Sequence, residues 1–299
     1  MKTKGFFKLL ALILSLAGTS FGQSSKSDLG AKFLLLRDDS NWQQIAAVPL
    51  SFPAHHPQGM VKIGANFYMS SVEVQDRALG KGTGHLFKFD ADGKLLADIK
   101  LGEGAMYHPG GIDFDGENIW VPVAEYRPDS RSVGYKVEPE SLKVTEVFRF
   151  DDHLGGIVHD PDSHTLHGIN WGARVFYEWA LDPGGKVVDN ESSKNIRLPN
   201  PSFYIDYQDC HYVGNHRMLC GGLKSYRNGG SVFRLGGLEL IDLTNHRPVH
   251  QIPLSLWSPT GKPMTQNPFW LESINEGIRG YFVPDDDQAT MYVYEVKLH

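Results

Sequence analysis

Cysteine is scarce in this sequence, because the 299 residues contain only Cys210 and Cys220. No Cys-x-x-Cys or His-Glu-x-x-His motif occurs, and the Gly-x-Ser-x-Gly pattern occurs only within the first 22 residues, at residues 18–22, so thioredoxin, zincin and serine hydrolase chemistry have no support. Charged residues make up only 21% of the chain and hydrophobic residues 41%, which excludes a disordered or coiled-coil protein. The chain can therefore build a substantial core.

Long apolar runs are also missing, apart from a short one near the N-terminus. Three lysines precede the apolar stretch from Leu9 to Ala17, and Ser20 and Gly22 supply the small residues that a signal peptidase reads. This pattern predicts a signal peptide over residues 1–22 and an exported, periplasmic or extracellular protein. Nine apolar residues are too few to span a bilayer and no other segment approaches 18, so we expect no membrane span.

The charge balance argues against nucleic acid as a partner. Removal of residues 1–22 leaves 26 basic and 35 acidic side chains, a net charge of −9. Cys210 and Cys220 would lie on two strands of one hairpin that turns at Gly214-Asn215, and we expect them to pair in an oxidising compartment. A shift of one residue in the register of that hairpin would instead place them on opposite faces.

An internal repeat decides the fold. Residues 56–60 read His-Pro-Gln-Gly-Met and residues 108–112 read His-Pro-Gly-Gly-Ile, and each is followed by a turn and an apolar stretch. A third copy begins at residues 152–158, and two weaker copies begin near 204–213 and 269–274. Five copies of about 55 residues account for the chain, whereas six would require a repeat that we do not find.

Each repeat continues with two more strand-like segments. In the first copy, Asp92-Gly93 separates two apolar segments, which is a strong hairpin signal. Four antiparallel strands per repeat make one blade, so the sequence predicts an all-β fold, a five-bladed β-propeller with six blades as the alternative. The last repeat lacks a fourth strand. Residues 42–50 would supply this strand and so close the ring.

The predicted domain organisation follows from this closure. We expect a signal peptide over residues 1–22, an N-terminal lead-in over 23–41 and a single propeller domain over 42–299. No long helical pattern is evident, so we expect no helix of more than about ten residues after the signal peptide.

In each propeller blade, the first strand starts and the second strand ends at the same face of the ring. We therefore expect the candidate site at this face. The predicted strand starts carry His56, His108, His153, Asp206 and Trp270. The predicted strand ends carry Glu73, Glu125, Asn170 and Lys224, followed by Arg127 and Arg174, and Glu272 lies one step further along the axis. The Asp285-Asp286-Asp287 segment is interpreted as a solvated loop tip, since it lacks the pattern of a calcium loop.

These residues leave three interpretations open. His56, His108 and His153 could bind a divalent metal ion through neutral ring nitrogens. Without a metal, His108 or His153 would act as general base with Glu125 as its partner. The remaining side chains at this face would bind the substrate: His56, Glu73, Arg127, Asn170, Arg174, Asp206 and Glu272. The third interpretation is structural, with the rings bonded to backbone carbonyls and the arginines in ion pairs.

The His-Pro-x-Gly and Gly-Gly-Ile-Asp-like blade starts resemble a family of secreted β-propeller proteins of unknown function. They are more distantly similar to gluconolactonase-like propellers, NHL-like propellers and virginiamycin B lyase. In gluconolactonase-like enzymes a Glu, an Asn and an Asp hold a calcium ion at the axis. The resemblance implies that Glu73 or Glu125, Asn170 and Asp206 offer the same ligand types here.

Two functions from different classes are therefore predicted. The first is an exported hydrolase or lyase that acts on a small polar molecule or sugar acid at the His/Glu-lined face. The second is a non-catalytic propeller that presents the same face to a protein or a glycan.

Overall fold

The computed structural model describes residues 20–298. The predicted signal peptide lies outside these residues over positions 1–19. The described part opens with helix α1, Ser20–Phe33, in which Leu29 and Phe33 are buried in the core between the last two blades. Three of its 14 residues belong to the predicted signal peptide, so eleven helical residues follow it, close to the expected maximum of about ten. Leu29 and Phe33 are four residues apart and therefore lie on one face of the helix.

The strands form five antiparallel sheets, which are the five blades of the predicted propeller. β1 (Gln43–Pro49) belongs to the last blade. Blade 1 contains β2 (His56–Ile63), β3 (Asn66–Asp76), β4 (Lys81–Asp90) and β5 (Leu95–Leu101). Blade 2 contains β6 (Met106–Pro109), β7 (Asp113–Phe114), β8 (Ile119–Glu125), β9 (Ser132–Val137) and β10 (Val144–Phe150).

The remaining blades follow in chain order. Blade 3 contains β11 (Leu154–Asp160), β12 (Thr165–Asn170), a 3-10 turn (Trp171–Ala173), β13 (Val175–Ala180) and β14 (Leu198–Pro199). Blade 4 contains β15 (Asp206–Tyr212), β16 (Arg217–Asn228), β17 (Ser231–Asp242) and β18 (Arg247–Leu254). Blade 5 contains β19 (Phe269–Ile274), β20 (Gly277–Phe282) and β21 (Thr290–Lys297), and β1 completes it.

The N-terminal strand closes the ring, as predicted. β1 pairs antiparallel with β21, so that Ala47 lies opposite Tyr292 and Val48 opposite Met291. This pairing covers the edge that blade 5 would otherwise expose. The first and the last repeats therefore become neighbours.

The core consists of five hydrophobic clusters, one at each interface between adjacent blades. Trp120 and Trp179, for example, belong to the cluster between blades 2 and 3, and Phe89 and Met291 to the cluster between blades 1 and 5. Each blade thus buries both of its faces, which explains the continuous apolar stretches in β8, where every residue is buried.

The axis of the ring is filled by contacts between the inner strands. The buried Asp209 carboxylate of blade 4 accepts hydrogen bonds from the backbone N–H groups of Met60 in blade 1 and Ile112 in blade 2. Blade 4 adjoins neither of those blades, so these bonds cross the axis. Gly111 N donates to Gly155 O at 2.8 Å in the same layer. The two ends of the ring therefore form separate sites.

Cys210 and Cys220 lie directly opposite each other on β15 and β16 and form a disulfide, as predicted. A structural disulfide is typical of an oxidising, exported compartment. Within residues 20–298, no helix has both the length and the apolar character needed to cross a membrane.

Candidate functional site

We call the end of the ring where the inner strands begin the upper face. His108 and His153 lie side by side beneath it, with ring centroids 5.4 Å apart. The Tyr126 ring stacks on His108 at 4.0 Å, and Trp171 packs edge-on against His153 at 4.7 Å. The Arg77 guanidinium covers Tyr126 at 4.0 Å. This aromatic layer leaves His108 and His153 only 5% and 2% exposed, respectively.

The two buried rings differ in their hydrogen bonds. His153 Nδ1 donates to the backbone carbonyl of Glu125 at 2.9 Å, whereas His108 Nδ1 is buried without a partner. Burial lowers the pKa of His153 to about 4. Burial, together with the nearby His153 and His56 rings, holds the pKa of His108 well below its usual range. Both rings are therefore neutral at pH 7.

The Glu125 carboxylate is held by two arginines. Arg131 Nε donates to Oε1 at 2.9 Å, and Arg127 Nη2 pairs with Oε2. Burial opposes ionisation, but these bonds outweigh it and lower the pKa of Glu125. Both carboxylate oxygens are engaged, so the geometry favours an ion-pair role for Glu125 over proton transfer with His108 or His153.

Glu73 belongs to a different group of side chains. Its Oε2 lies 4.0 Å from His85 Nε2, and the side chain is 41% exposed. The ligand atoms of Glu73, His85 and His55 all lie within 4.8 Å of one another. The structure therefore places Glu73 with His55 and His85, on the side of blade 1.

The edge between blades 3 and 4 carries Asn170, Arg174 and Asp206. Asn170 Oδ1 accepts the backbone N–H of Arg174 at 2.9 Å, and the Arg174 guanidinium donates to three backbone carbonyls. Asp206 pairs with Arg174 and Lys224, both at 3.1 Å. Asn170 and Asp206 therefore lie at the same edge, and their side-chain oxygens are engaged in these bonds.

The predicted histidine metal site is not assembled. Among residues 20–298, the side chains that group as metal ligands are His55 with Glu73 and His85, and His167 with Glu178 and His246. His153 is bonded through Nδ1 to a carbonyl, and His56 through Nδ1 to a carboxylate. The three predicted ligands therefore do not converge on one point.

Glu272 lies at the opposite end of the ring. Its carboxylate contacts Lys62 at 2.8 Å and the Tyr281 hydroxyl at 2.7 Å, and Lys62 lies near the end of β2, far from His56 at the strand start. Glu272 was expected with the upper-face residues, but the fifth repeat is weak and its strand start was misplaced. In blade 5, Asn267 and not Trp270 occupies the upper face.

A polar cavity of about 330 Å³ opens at the upper face. Its lining combines two cationic side chains, a histidine, a carboxylate and several carboxamides. The lining residues are His56, Gln208, Leu223, Arg234, Lys262, Gln266, Asn267 and Asp286. Of the three axial histidines, only His56, 34% exposed at its side chain, reaches this cavity.

His56 and Asp286 form a dyad in the cavity wall. His56 Nδ1 lies 2.8 Å from Asp286 Oδ1, and Lys262 Nζ lies 2.7 Å from Asp286 Oδ2. Asn267 Nδ2 donates to the same carboxylate at 3.1 Å. Burial raises the pKa of Asp286, but the bonds from His56 and Lys262 outweigh it and hold the pKa well below its usual range. A carboxylate that is ionised at neutral pH thus orients the His56 ring.

Sequence reasoning missed Lys262 and Arg234. The interpretation of Asp286 as part of a solvated loop tip is wrong, because Asp286 lines the cavity and is bonded to His56 and Lys262. The signal for Asp286 was available, since the acidic segment follows β20 and second strands end at the upper face. Lys262 comes from the loop before β19, which carries no repeat pattern, and Arg234 projects from the β16–β17 hairpin. No periodic signal marks these two residues.

A second cavity of about 340 Å³ lies at the opposite end of the ring. Its charged groups already have partners: Lys62 pairs with Glu272 in the lining, His211 pairs with the buried Asp209 outside it, and Lys26 donates to the Phe114 carbonyl. Asp209 is already engaged in the bonds that cross the axis. This end therefore offers fewer groups to a ligand than the upper face.

Comparison with known proteins gives the fold and the family. No curated protein matches the chain. A hypothetical protein from Leishmania major is 11% identical, with 91% of this chain and 94% of that chain covered and a TM-score of 0.54. The tail fiber of Staphylococcus aureus phage P68 is 9% identical, with 88% and 54% covered and a TM-score of 0.52, so the chain spans about half of that protein. At such identities these likenesses show the fold alone.

Regucalcin of Agrobacterium tumefaciens, a calcium-binding protein, is 14% identical to the chain, with 83% of this chain and 92% of that chain covered and a TM-score of 0.42. A family model described as a family of unknown function (DUF6454) matches residues 12–299. Since the match spans nearly the whole sequence, the chain belongs to this family of β-propeller proteins of unknown function.

Proposed function

We propose that the upper cavity binds a small anionic polar molecule of the sugar-acid class and that His56 acts on it as a general base. The observation that carries this proposal is the His56–Asp286 dyad in one cavity with two cationic side chains. The volume of about 330 Å³ lies at the lower end of the usual range for ligand sites, which suits a ligand of monosaccharide size.

Charge recognition rests on Arg234 and Lys262. Arg234 is exposed and makes no ion pair with another described residue, so its guanidinium remains available for a carboxylate. Lys262 is already paired with Asp286 and supplies a second, partly neutralised cation. The carboxamides of Gln208 and Gln266 can donate to and accept from hydroxyl groups.

The proposed base is His56 Nε2. Nδ1 faces the ionised Asp286, so a proton on Nδ1 leaves the Nε2 lone pair directed away from the carboxylate. When Nε2 accepts a proton, Asp286 stabilises the resulting imidazolium. His108 and His153 are buried and do not line the cavity, so they lack this access.

Two reactions are compatible with this base. In hydrolysis of a lactone or ester, His56 takes a proton from water as the water oxygen bonds to the carbonyl carbon, and returns it to the leaving alkoxide as the C–O bond breaks. In an elimination, His56 takes the proton α to the substrate carboxylate, a carbon–carbon double bond forms, and the oxygen on the β-carbon leaves with its electron pair.

Binding tests the first part of this proposal. Thermal shift and ligand-observed NMR would compare gluconate and glucuronate with neutral glucose. We expect binding of the acids, weakened at least about tenfold in Arg234→Gln. Arg227→Gln is the matched control, because it removes the same charge from the same hairpin outside the cavity. Equal effects of the two substitutions, or equal binding of glucose, would contradict the proposed recognition.

A second candidate function is binding of a glycan or protein at the upper face without catalysis. The β16–β17 hairpin exposes Tyr226, Phe233 and Leu235, which are 50%, 55% and 47% exposed. Exposed aromatic and apolar side chains on one hairpin mark interaction surfaces. Loss of glycan-array or partner binding in Tyr226→Ala with Phe233→Ala, with cavity binding unchanged, would favour this function.

We also propose export to the periplasm or the extracellular space through a signal peptide over residues 1–22. Because α1 begins at Ser20, cleavage after Gly22 would shorten the helix but keep Leu29 and Phe33, its core contacts. N-terminal sequencing of the exported protein tests this, with Gln23 expected as the first residue.

A further inference from the structure

Three potential metal ligands meet between blades 3 and 4, towards the lower end of the ring. His167 lies on β12, Glu178 faces it on β13, and His246 lies in the turn between β17 and β18. His167 Nδ1 is 3.3 Å from His246 Nε2, which is 3.6 Å from Glu178 Oε2. This group shares no residue with the upper cavity.

Two of the three separations among these atoms are close to those of a tetrahedral cation site. Zinc binds histidine nitrogen at about 2.0–2.1 Å, so two ligands of a tetrahedral ion stand about 3.3–3.4 Å apart. The His167–His246 separation of 3.3 Å falls in this range, and the Glu178–His246 separation of 3.6 Å is slightly longer. Two histidines and one glutamate are an established zinc ligand set that leaves a fourth position open.

The two imidazoles are suited to act as ligands at neutral pH. Their relative exposures are 3% for His167 and 8% for His246, and burial lowers the pKa of both rings, that of His167 to about 3. Burial raises the pKa of Glu178, and the nearby Asp160 carboxylate contributes to this rise. A bound cation would favour the ionised form of Glu178 and so offset both contributions. Glu178 is 43% exposed, which gives a cation access to the group.

The surroundings fix the orientation of both rings. His167 Nε2 lies 2.9 Å from the Thr165 hydroxyl, and a proton donated there leaves the Nδ1 lone pair directed at His246. The His246 ring packs against Phe176 with centroids 5.3 Å apart. In the absence of a cation, one proton shared between the two facing nitrogens would hold the pair as an N–H···N hydrogen bond.

The other histidine–glutamate group fits a cation less well. The His85 Nε2 to Glu73 Oε2 separation is 4.0 Å, longer than either separation at the first group. His85 Nδ1 also has the Lys100 ammonium at 3.0 Å, next to Asp98 at 2.9 Å. A nearby fixed positive charge disfavours a second cation at this ring.

We propose that His167, Glu178 and His246 bind one divalent transition-metal cation, with zinc as the preferred ion. The cation would join blade 3 to blade 4 and keep one coordination position open to solvent. It is independent of the ligand proposed for the upper cavity.

Isothermal titration of the tag-free, chelator-treated protein with Zn²⁺ tests this proposal. We expect one ion per chain, at least about tenfold weaker binding in Glu178→Gln and His246→Asn, and the visible spectrum of tetrahedral Co²⁺ in the unmodified protein. His55→Asn is the matched control, because His55 and His246 share a left-handed backbone, with φ of 54° at both, that asparagine tolerates.

Thermal melting adds a readout that does not depend on activity. Zinc should raise the midpoint of the unmodified protein and of His55→Asn, and should leave His246→Asn unchanged. Zinc binding that persists in His246→Asn, that is lost in His55→Asn, or that is absent from the unmodified protein would overturn the proposal and leave the pair as a hydrogen bond.

Discussion

His56 and Asp286 are 230 positions apart in the chain, yet a hydrogen bond of 2.8 Å joins Nδ1 of the histidine to Oδ1 of the aspartate. His56 opens blade 1, and Asp286 follows the second strand of blade 5. Only closure of the ring makes these blades neighbours. The proposed catalytic pair therefore depends on the same N-terminal strand that completes the last blade.

Asp286→Asn tests the dyad through acid stability as well as activity. The folded pKa of Asp286 lies below its unfolded value of 3.8, so its ionisation stabilises the fold above about pH 4 and this contribution is lost as the pH falls. Between pH 7 and pH 3, we expect the free energy of unfolding to fall less in Asp286→Asn than in the unmodified protein. The substitution should also reduce turnover of any substrate by at least about a hundredfold.

Asp287→Asn is the matched control for this substitution. Asp287 is adjacent and exposed, and its left-handed backbone, with φ of 53°, suits asparagine. Urea unfolding at both pH values should distinguish the two variants. An acid dependence that is the same in Asp286→Asn as in the unmodified protein would show that the dyad does not stabilise the fold.

His153 predicts a second acid dependence with a higher midpoint. Its folded pKa of about 4 lies below its unfolded value of 6.5, so the unfolded chain binds the additional proton in that range and stability falls as the pH drops from 6.5 to 4. The shift corresponds to about 3 kcal/mol. In His153→Asn, whose amide can still donate to the Glu125 carbonyl, we expect this pH dependence to disappear.

The measurement for His153 is urea unfolding at pH 7.5 and pH 4.5, in comparison with His164→Asn. His164 is exposed, so its replacement should leave the pH dependence unchanged. If His153→Asn loses as much stability between the two pH values as the unmodified protein does, then His153 does not titrate with a depressed pKa.

Helix α1 predicts a stability effect of its own. Phe33 is fully buried between blades 4 and 5, so Phe33→Ala should lower the free energy of unfolding by about 3–5 kcal/mol. Leu35, two residues away, is 59% exposed, and Leu35→Ala should change it by less than about 0.5 kcal/mol. Chemical denaturation compares them, and similar values for both would mean that the helix does not pack as described.

The sequence predicts the fold well because the repeat is a local pattern. The His-Pro-x-Gly motifs lie at the inner strands of blades 1 and 2, and the strand count of the last repeat indicates closure by residues 42–50. The pattern weakens in the fifth repeat. There it predicts Trp270 at the upper face, whereas Asn267 occupies that position in the structure. An irregular loop before β19 accounts for this difference.

The candidate site is less predictable, because accessibility depends on loops that the repeat does not encode. His56, His108 and His153 are equivalent in sequence, yet the Tyr126 ring with Arg77 above it covers His108, and no such layer of described residues covers His56. The cations of the cavity come from an irregular loop and a long hairpin. Their positions follow from tertiary packing rather than from periodicity.

The closed axis predicts that Gly110 tolerates no side chain. A Cβ at this position would lie 2.4 Å from the carbonyl oxygen of Gly155, which cannot move freely because it accepts the Gly111 N–H at 2.8 Å. Gly110→Ala should therefore lower the free energy of unfolding by about 2–3 kcal/mol or more. Gly230→Ala is the control, since nothing lies within 4 Å of its Cβ, and urea denaturation should show it to be within about 0.5 kcal/mol of the unmodified protein. If Gly110→Ala is as stable as Gly230→Ala, the inner strands stand further apart and the ring has an open centre that could connect the two cavities.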